Sequence, residues 1–271
     1  MRSQVEKGQL FRNLHERPGL LLLPNPWDAG TAKLLQSLGF EALATTSLGM
    51  SNALGRVDGG NAVSRAELID NCRVIARATD LPVTADLENG YADDPKEAAT
   101  ILRDAVEAGI VGGSIEDWSG ERIYDFNHAV ERVQAGVEMA RSFGVPFTFT
   151  ARADNLIRGV KDLDDTIRRL KAFGQAGADV LYAPGLRGLS TMRTVASEVG
   201  RPLNVVMSAG DPDLTAEQIA SVGVKRISVG GALSRLALAA FMKGASDMKD
   251  GSFAWMRDTL PSSDLKKVFG V

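Results

Sequence analysis

Cysteine and histidine are nearly missing: Cys72 is the only thiol, and His15 and His128 are the only imidazoles in 271 residues. One cysteine excludes an internal disulfide and a cysteine-rich zinc site, and two histidines are too few for a multi-histidine zinc centre. Cys72 sits in AELIDNCRVIARATD, a helical pattern in which a lone cysteine reads as a small core residue. Basic surplus is also missing, since 31 Lys and Arg face 34 Asp and Glu for a net charge of -3. That balance gives no general means of neutralising a phosphate backbone, and nucleic acid is not an expected partner. No run of about 18 uncharged apolar residues occurs, and the first residues are charged without a signal-like apolar stretch. No membrane partner and a cytoplasmic location are therefore expected. With only 10 prolines and no Pro/Gly/Ser tract to mark a linker, residues 1–271 read as one domain.

What the chain does contain is a recurring unit: an amphipathic stretch, a glycine, then a short β-branched and apolar run ending in polar residues. LLQSLGFEALATTS, AVEAGIVGGSIED, ARSFGVPFTFTARAD, FGQAGADVLYAPG, ASEVGRPLNVVMSAG and IASVGVKRISVGG all follow it. Gly39, Gly109, Gly144, Gly177, Gly200 and Gly223 each stand where a helix stop is expected. With two further runs, the pattern predicts strands near 20–23, 41–45, 82–86, 111–116, 147–151, 179–182, 203–207 and 225–229. Alternating strands and helices leave a closed barrel or an open doubly wound sheet. Eight strands favour a (β/α)8 TIM barrel, whose usual length of roughly 250 residues absorbs nearly the whole chain. An extra N-terminal helix is expected over 3–16. A surplus C-terminal helical segment from Ser252, with Trp255, Met256, Leu260 and Phe269, suggests packing on another subunit.

In such a barrel, active-site residues stand at the C-terminal strand ends. Here those ends read Thr45-Thr46-Ser47, Asp86-Leu87-Glu88, Glu116-Asp117 and Arg152-Ala153-Asp154, with Asn204 on strand seven. Asp86 and Glu88, two apart, share a side if the strand continues, and Glu116 ends the neighbouring strand. Three converging carboxylates call for a cation or protons, and an all-oxygen set suits Mg²⁺ or Mn²⁺. Helix caps and solvent-facing loop charges are the alternative. Arg152 is placed to grip a substrate carboxylate with two prongs, or else to pair with Asp154 or Glu116. Thr46, Ser47, Gly49 and the Gly59-Gly60 pair can offer backbone N–H groups to an oxyanion, or serve only as turns.

PVTADLENGY, GGSIED and FTARAD, in this order at the ends of strands three, four and five, resemble the isocitrate lyase and phosphoenolpyruvate mutase superfamily. The resemblance runs from about Leu22 to Ala240, with PNPWDAGTAKLLQSLGFEAL similar to the opening strand and helix and TTSLGMSNALGRVD to the substrate-binding loop. It implies a barrel that binds Mg²⁺ and a small 2-oxo or 2-hydroxy acid and cleaves carbon-carbon or carbon-phosphorus bonds through an enolate-like oxyanion. It also implies that Asp86, Glu88 and Glu116 hold the metal and that Asp58 acts around the metal or its waters. By the same resemblance Thr46 and Ser47 supply backbone donors and Arg152 meets the substrate. Dimers or tetramers formed by exchange of the last barrel helix follow from it too.

The chain departs from the family after Glu116-Asp117. There WSGERIYDFNHAV lacks both the Lys-Lys-Cys-Gly-type loop of the lyases and the Lys and Asn pattern of the phosphonate branch. Glu88 stands where aspartate is common, and Ala183-Pro184 where the lyases carry glutamate. The expected activity is a Mg²⁺-dependent lyase for a small 2-oxo or 2-hydroxy dicarboxylate, with oxaloacetate-type decarboxylation the least demanding chemistry. The alternatives are a phosphonate or acetyl-oxo-acid hydrolase or mutase, or a non-catalytic 2-oxo-acid binder. Residues 118–128 are expected to form a mobile gate that carries Tyr124 and His128, with His128 near the start of a helix capped by Asn127.

Overall fold

The computed structural model describes residues 1–60 and 62–270. Its eight parallel strands are β1 (Leu21–Leu23), β2 (Leu43–Ala44), β3 (Val83–Asp86), β4 (Gly112–Glu116), β5 (Thr148–Arg152), β6 (Val180–Tyr182), β7 (Leu203–Val206) and β8 (Arg226–Ser228). They lie in sequential order, β1 beside β8 and so on round to β2, with no reversal of the kind an open doubly wound sheet requires. Where the two ends of the sheet meet, the Ala44 N–H donates to the Pro24 carbonyl at 3.0 Å. The chain is a (β/α)8 TIM barrel with an N-terminal helix and a C-terminal helical extension.

Each expected strand forms within about two residues of its predicted place, because its apolar run is covered on both faces. Val83, Val111, Phe149, Leu181 and Val205 are all buried. Gly39, Gly109, Gly177, Gly200 and Gly223 adopt the left-handed conformation expected of helix stops, whereas Gly144 does not. The preceding helix, Phe126–Arg141, already closes at Ser142, whose N–H meets the Glu138 and Met139 carbonyls, so Gly144 lies beyond the stop. That helix also begins one residue early, with Asp125 in the cap position. Asn127 is thus in its first turn and caps nothing.

Helix Gln4–Glu16 starts on a capping box, with the Ser3 side chain accepting from Glu6 N–H and Glu6 reaching back to the Ser3 N–H. It plugs the base of the barrel. Phe11, fully buried, packs with Leu14, Leu21, Leu23 and Val111. A side chain at Gly112 would meet the Phe11 ring at 2.9 Å, so the plug takes room that β4 leaves open.

At the other end of the chain, helix Ala232–Lys249 packs chiefly against helix Ser47–Ala53 and the short 3-10 turn Ala254–Asp258. It leaves Leu236, Phe241, Met242 and Met248 exposed. The final helix, Ser262–Phe269, lies against helix Ala29–Ser37. Among the described residues, no helix is long and apolar enough to cross a membrane.

Candidate active site

The C-terminal ends of the strands open into a cavity of ≈ 640 Å³ whose walls include Thr46, Ser47, Asp58, Asp86, Glu88, Glu116 and Arg152. These residues, all singled out in the sequence, thus meet in one mouth, whereas Asn204 does not line it. Strand register explains much of the convergence. Glu116 pairs with Arg152, Arg152 with Tyr182, Tyr182 with Asn204 and Asn204 with Arg226, so these residues occupy one hydrogen-bonded row. In a barrel of tilted strands such a row does not stay level. Asn204 accordingly falls below the mouth, where its Oδ1 accepts from Arg226 at 2.8 Å and its Nδ2 donates to Ser228 at 3.2 Å.

Arg152 is the hub of the mouth. Its Nη1 donates to Asp86 Oδ1 at 3.0 Å and its Nη2 pairs with Glu116 Oε2 at 3.0 Å. Its Nε and Nη2 together clasp Asp154, at 3.1 and 3.0 Å. The salt-bridge reading of Arg152 holds, and the guanidinium also lines the mouth. Burial works against its charge, yet Asp154, Glu116 and Asp86 keep it protonated well beyond the ordinary range.

Asp86 ends β3, and its second oxygen accepts from the Ser47 hydroxyl at 3.0 Å, with the Ser47 N–H at 3.5 Å. Ser47 opens helix Ser47–Ala53, and the Thr46 side chain caps that helix by accepting from Gly49 N–H at 3.2 Å. The helix start thereby turns its free N–H groups toward the site. Gly49 permits the close approach, since a Cβ there would meet the Thr46 methyl at 2.6 Å. Gly59 joins the wall of the mouth, and both it and Gly60 have positive φ.

Glu88 reaches the site by a different route from the one its spacing suggests. β3 ends at Asp86, and Glu88 turns in the left-handed region with φ 52°. Its buried carboxyl is pushed up to about 7, first by burial and then by Asp86 and Asp58. Glu116 is raised well above the usual carboxylate range, by burial first and Asp154 next, even with Arg152 and Arg158 beside it. Asp58 is raised by burial and by Asp86, and accepts from the Ser51 hydroxyl at 3.3 Å. These directions describe a mouth with more carboxylate than its arginines neutralise.

A bound cation would relieve that excess, and the all-oxygen donors suit a hard divalent ion. Among the described residues, no three acids stand close enough to grip one ion directly, so the set fits an ion held largely through water.

Arg158 and Tyr182 carried no sequence signal of their own, and the further partners of Asp154 could not be read. Arg158 reaches Glu116 Oε1 at 3.3 Å, lies over the Trp118 ring at 4.7 Å and lines the mouth. Asp154, fully buried, takes a backbone N–H link to Asp117 Oδ1 at 2.7 Å, and Asp117 in turn pairs with Arg169 at 3.1 Å. Burial pushes Asp117 up to about 6. The Tyr182 ring packs 5.2 Å from the Arg152 guanidinium. Arg-x-Asp at 152–154 was a visible motif, but its extension to Asp117 and Arg169 depends on the strand β4 to β5 contact.

Tyr124 and His128 lie outside the mouth. The Tyr124 hydroxyl donates to Asp93, and His128 Nε2 lies 3.0 Å from the Asp93 carbonyl. Burial and Asp93 push Tyr124 up to about 12. Within 118–128, Trp118 and Ile123 form an antiparallel bridge that closes a tip in which the Ser119 N–H donates to the Arg122 carbonyl at 2.9 Å. Cys72 is buried, and burial pushes its thiol up to about 12, as suits a core residue.

Comparison with known proteins agrees with this arrangement. A Burkholderia cenocepacia protein solved as a candidate lyase or mutase superposes with a TM-score of 0.96 at 47% identity, covering 99% of this chain and 97% of that one. An uncharacterised Mycobacterium tuberculosis protein is 30% identical over 244 residues, 89% of each chain. The 2,3-dimethylmalate lyase of Eubacterium barkeri is 27% identical over 225 residues, 79% of this chain and 76% of its own. The family model described as phosphoenolpyruvate phosphomutase matches residues 11–249, and the chain belongs to that family, within the superfamily that also holds the 2-methylisocitrate and 2,3-dimethylmalate lyases.

Proposed function

We propose that this protein is a divalent-metal-dependent lyase acting on a small 2-oxo or 2-hydroxy dicarboxylate. The observation that carries the reading is the position of Arg152, held by Asp86, Glu116 and Asp154 within a mouth that also receives the Ser47 N–H. Asp154, Glu116 and Asp86 take four of the five guanidinium N–H groups, so one Nη1 N–H is left to meet a substrate carboxylate, while N–H groups at the helix start favour a developing oxyanion. Asp86, Glu88 and Glu116 would hold Mg²⁺ or Mn²⁺, mostly through waters. When bound, the ion supplies Lewis-acid stabilisation of enolate charge.

Arg152 and the Thr46–Ser47 turn do the rest of the positioning. They orient the substrate so that the bond to be broken stands perpendicular to the plane of the 2-oxo group, where its electrons can pass into the carbonyl as an enolate. Decarboxylation of a 3-carboxy-2-oxo acid breaks its carbon-carbon bond without a protein base, so the absence of the lyase cysteine loop is no obstacle to it. Arg158, partly exposed at the rim, is placed to meet the far carboxylate. Kinship with a 2,3-dimethylmalate lyase supports a dicarboxylate substrate.

An oligomer built by exchanging helix Ala232–Lys249 belongs to the same proposal. Its exposed Leu236, Phe241 and Met242 are the kind of apolar face that a second copy covers. Light scattering that returns a monomer at working concentration would remove it.

The functional reading is tested with a panel of oxo acids and phosphonates in Mg²⁺, followed by NMR, on wild type and Asp86→Ala. A new product from a 2-oxo or 2-hydroxy dicarboxylate, lost in Asp86→Ala together with calorimetric Mg²⁺ binding while the circular dichroism is unchanged, is the expected result. Binding of oxalate without turnover of any panel member would make the protein a sensor.

A further inference from the structure

Below the mouth, the barrel interior contains a second cavity of ≈ 60 Å³, bounded at its lower end by Arg226, Asn204 and Ser228 and at its upper end by Asp86 and Arg152. Arg226 is buried, and its three hydrogen-bond acceptors are all neutral. Nε donates to Asn204 Oδ1 at 2.8 Å, Nη2 to Thr150 Oγ1 at 3.2 Å and Nη1 to His15 Nε2 at 3.3 Å. The third acceptor is neutral by necessity. His15 Nδ1 lies 2.8 Å from the Phe11 carbonyl, which can only accept, so the ring proton is on Nδ1 and Nε2 keeps its lone pair. No carboxylate among the described residues pairs with Arg226, whereas the other interior guanidinium, Arg152, has three.

A buried charge without a counter-charge is strongly disfavoured, and an arginine cannot escape by giving up its proton at neutral pH. Here burial takes Arg226 only down to about 10. A guanidinium carries five N–H groups, which leaves two beyond the three neutral acceptors. The cavity adds the Tyr182 and Ser114 side chains, both able to donate. Its volume is several times the roughly 10–15 Å³ that one water needs, so a halide or formate fits. The only acid on its wall, Asp86, is held at the far end by Arg152 and Ser47.

We infer that the barrel interior is a binding site for a small monovalent anion of halide size, held on Arg226 beneath the catalytic mouth and separate from the substrate. The anion supplies the counter-charge that the fold itself does not provide. Its site does not depend on the metal or on the proposed reaction.

Crystals of the full chain soaked in sodium bromide test it directly. An anomalous peak within hydrogen-bond distance of the Arg226 guanidinium is expected, retained when oxalate and Mg²⁺ are added and lost in Arg226→Met. In solution, sodium bromide should raise the melting temperature of wild type by several degrees over sodium gluconate at equal ionic strength, since a ligand of the native state stabilises it by mass action. Arg226→Met, whose uncharged side chain needs no counter-ion, should melt alike in both salts. Bromide confined to the surface, or an equal salt response in Arg226→Met, would show an adventitious ion only and overturn the assignment. Displacement of the peak by oxalate and Mg²⁺ would place Arg226 in the substrate pocket and overturn it equally.

Discussion

The mouth and the base of this barrel solve opposite problems with similar side chains. At the mouth, Arg152 is surrounded by acids, and Glu88, Glu116 and Asp58 are all driven toward their protonated forms. At the base, Arg226 meets only neutral acceptors, and burial with Arg226 close by drives His15 down to about 3. The mouth keeps an excess of negative charge that a cation can relieve, and the base keeps one positive charge without a counter-charge beside the Phe11 plug. That difference follows the division of labour in such barrels, with chemistry at the C-terminal ends of the strands and stability at the other face.

The sharpest way to break the comparison is to damage the base alone. Phe11→Ala removes a fully buried ring from the plug and should cost about 3–5 kcal/mol of stability. Where the variant still folds, its affinity for Mg²⁺ and oxalate should match wild type. Denaturant unfolding and calorimetry check both, and a large loss of affinity would show that the two ends are coupled.

The converse experiment is Arg152→Lys, which keeps the charge but not the planar two-pronged contact, and should weaken 2-oxo dicarboxylate binding by about 1–3 kcal/mol. Oxalate and oxaloacetate binding as tightly as in wild type would make Arg152 structural.

The smallest effect concerns pH. The unfolded chain takes a proton on His15 near its ordinary value of 6.5, and the folded chain only near about 3. The unfolded state therefore binds more protons between these values, and stability must fall with pH through that window by about 1.4 kcal/mol per unit. Below about 3 the slope from this group ends. His15→Gln should flatten that part of the profile, read from unfolding curves between pH 6.5 and 4.5. An unchanged slope would show that the fold does not hold His15 neutral in this window.

Much of this was legible in the sequence, for reasons that also explain what was not. The strands could be read because each is a short apolar run between a glycine stop and polar residues, a signal carried by neighbours in the chain. The mouth residues Asp86, Glu116 and Arg152 could be read because strand ends in a barrel converge by construction. Asn204 could not be placed, since whether an inward side chain stands at the mouth or beneath it depends on the tilt that carries each strand past the next. Arg226 and Arg169 were unreadable because their partners lie far off in the chain, up to 211 residues away, and Asp117 could be seen at a strand end but not matched to Arg169. Glu88 was found by a rule that does not apply to it, because the strand ends before it.

Glu88 has a further consequence. Outside glycine, only Glu88 and Tyr91 among the described residues have positive φ, a conformation that costs a side chain with a Cβ about 1–2 kcal/mol. Its carboxyl is also buried beside two other acids. Folding alone would prefer glycine or asparagine at this position on both counts. On the proposed function, Glu88 marks a point where stability and metal binding are in conflict, and variants selected only for heat resistance are expected to change this residue early and to lose Mg²⁺ affinity as they do so.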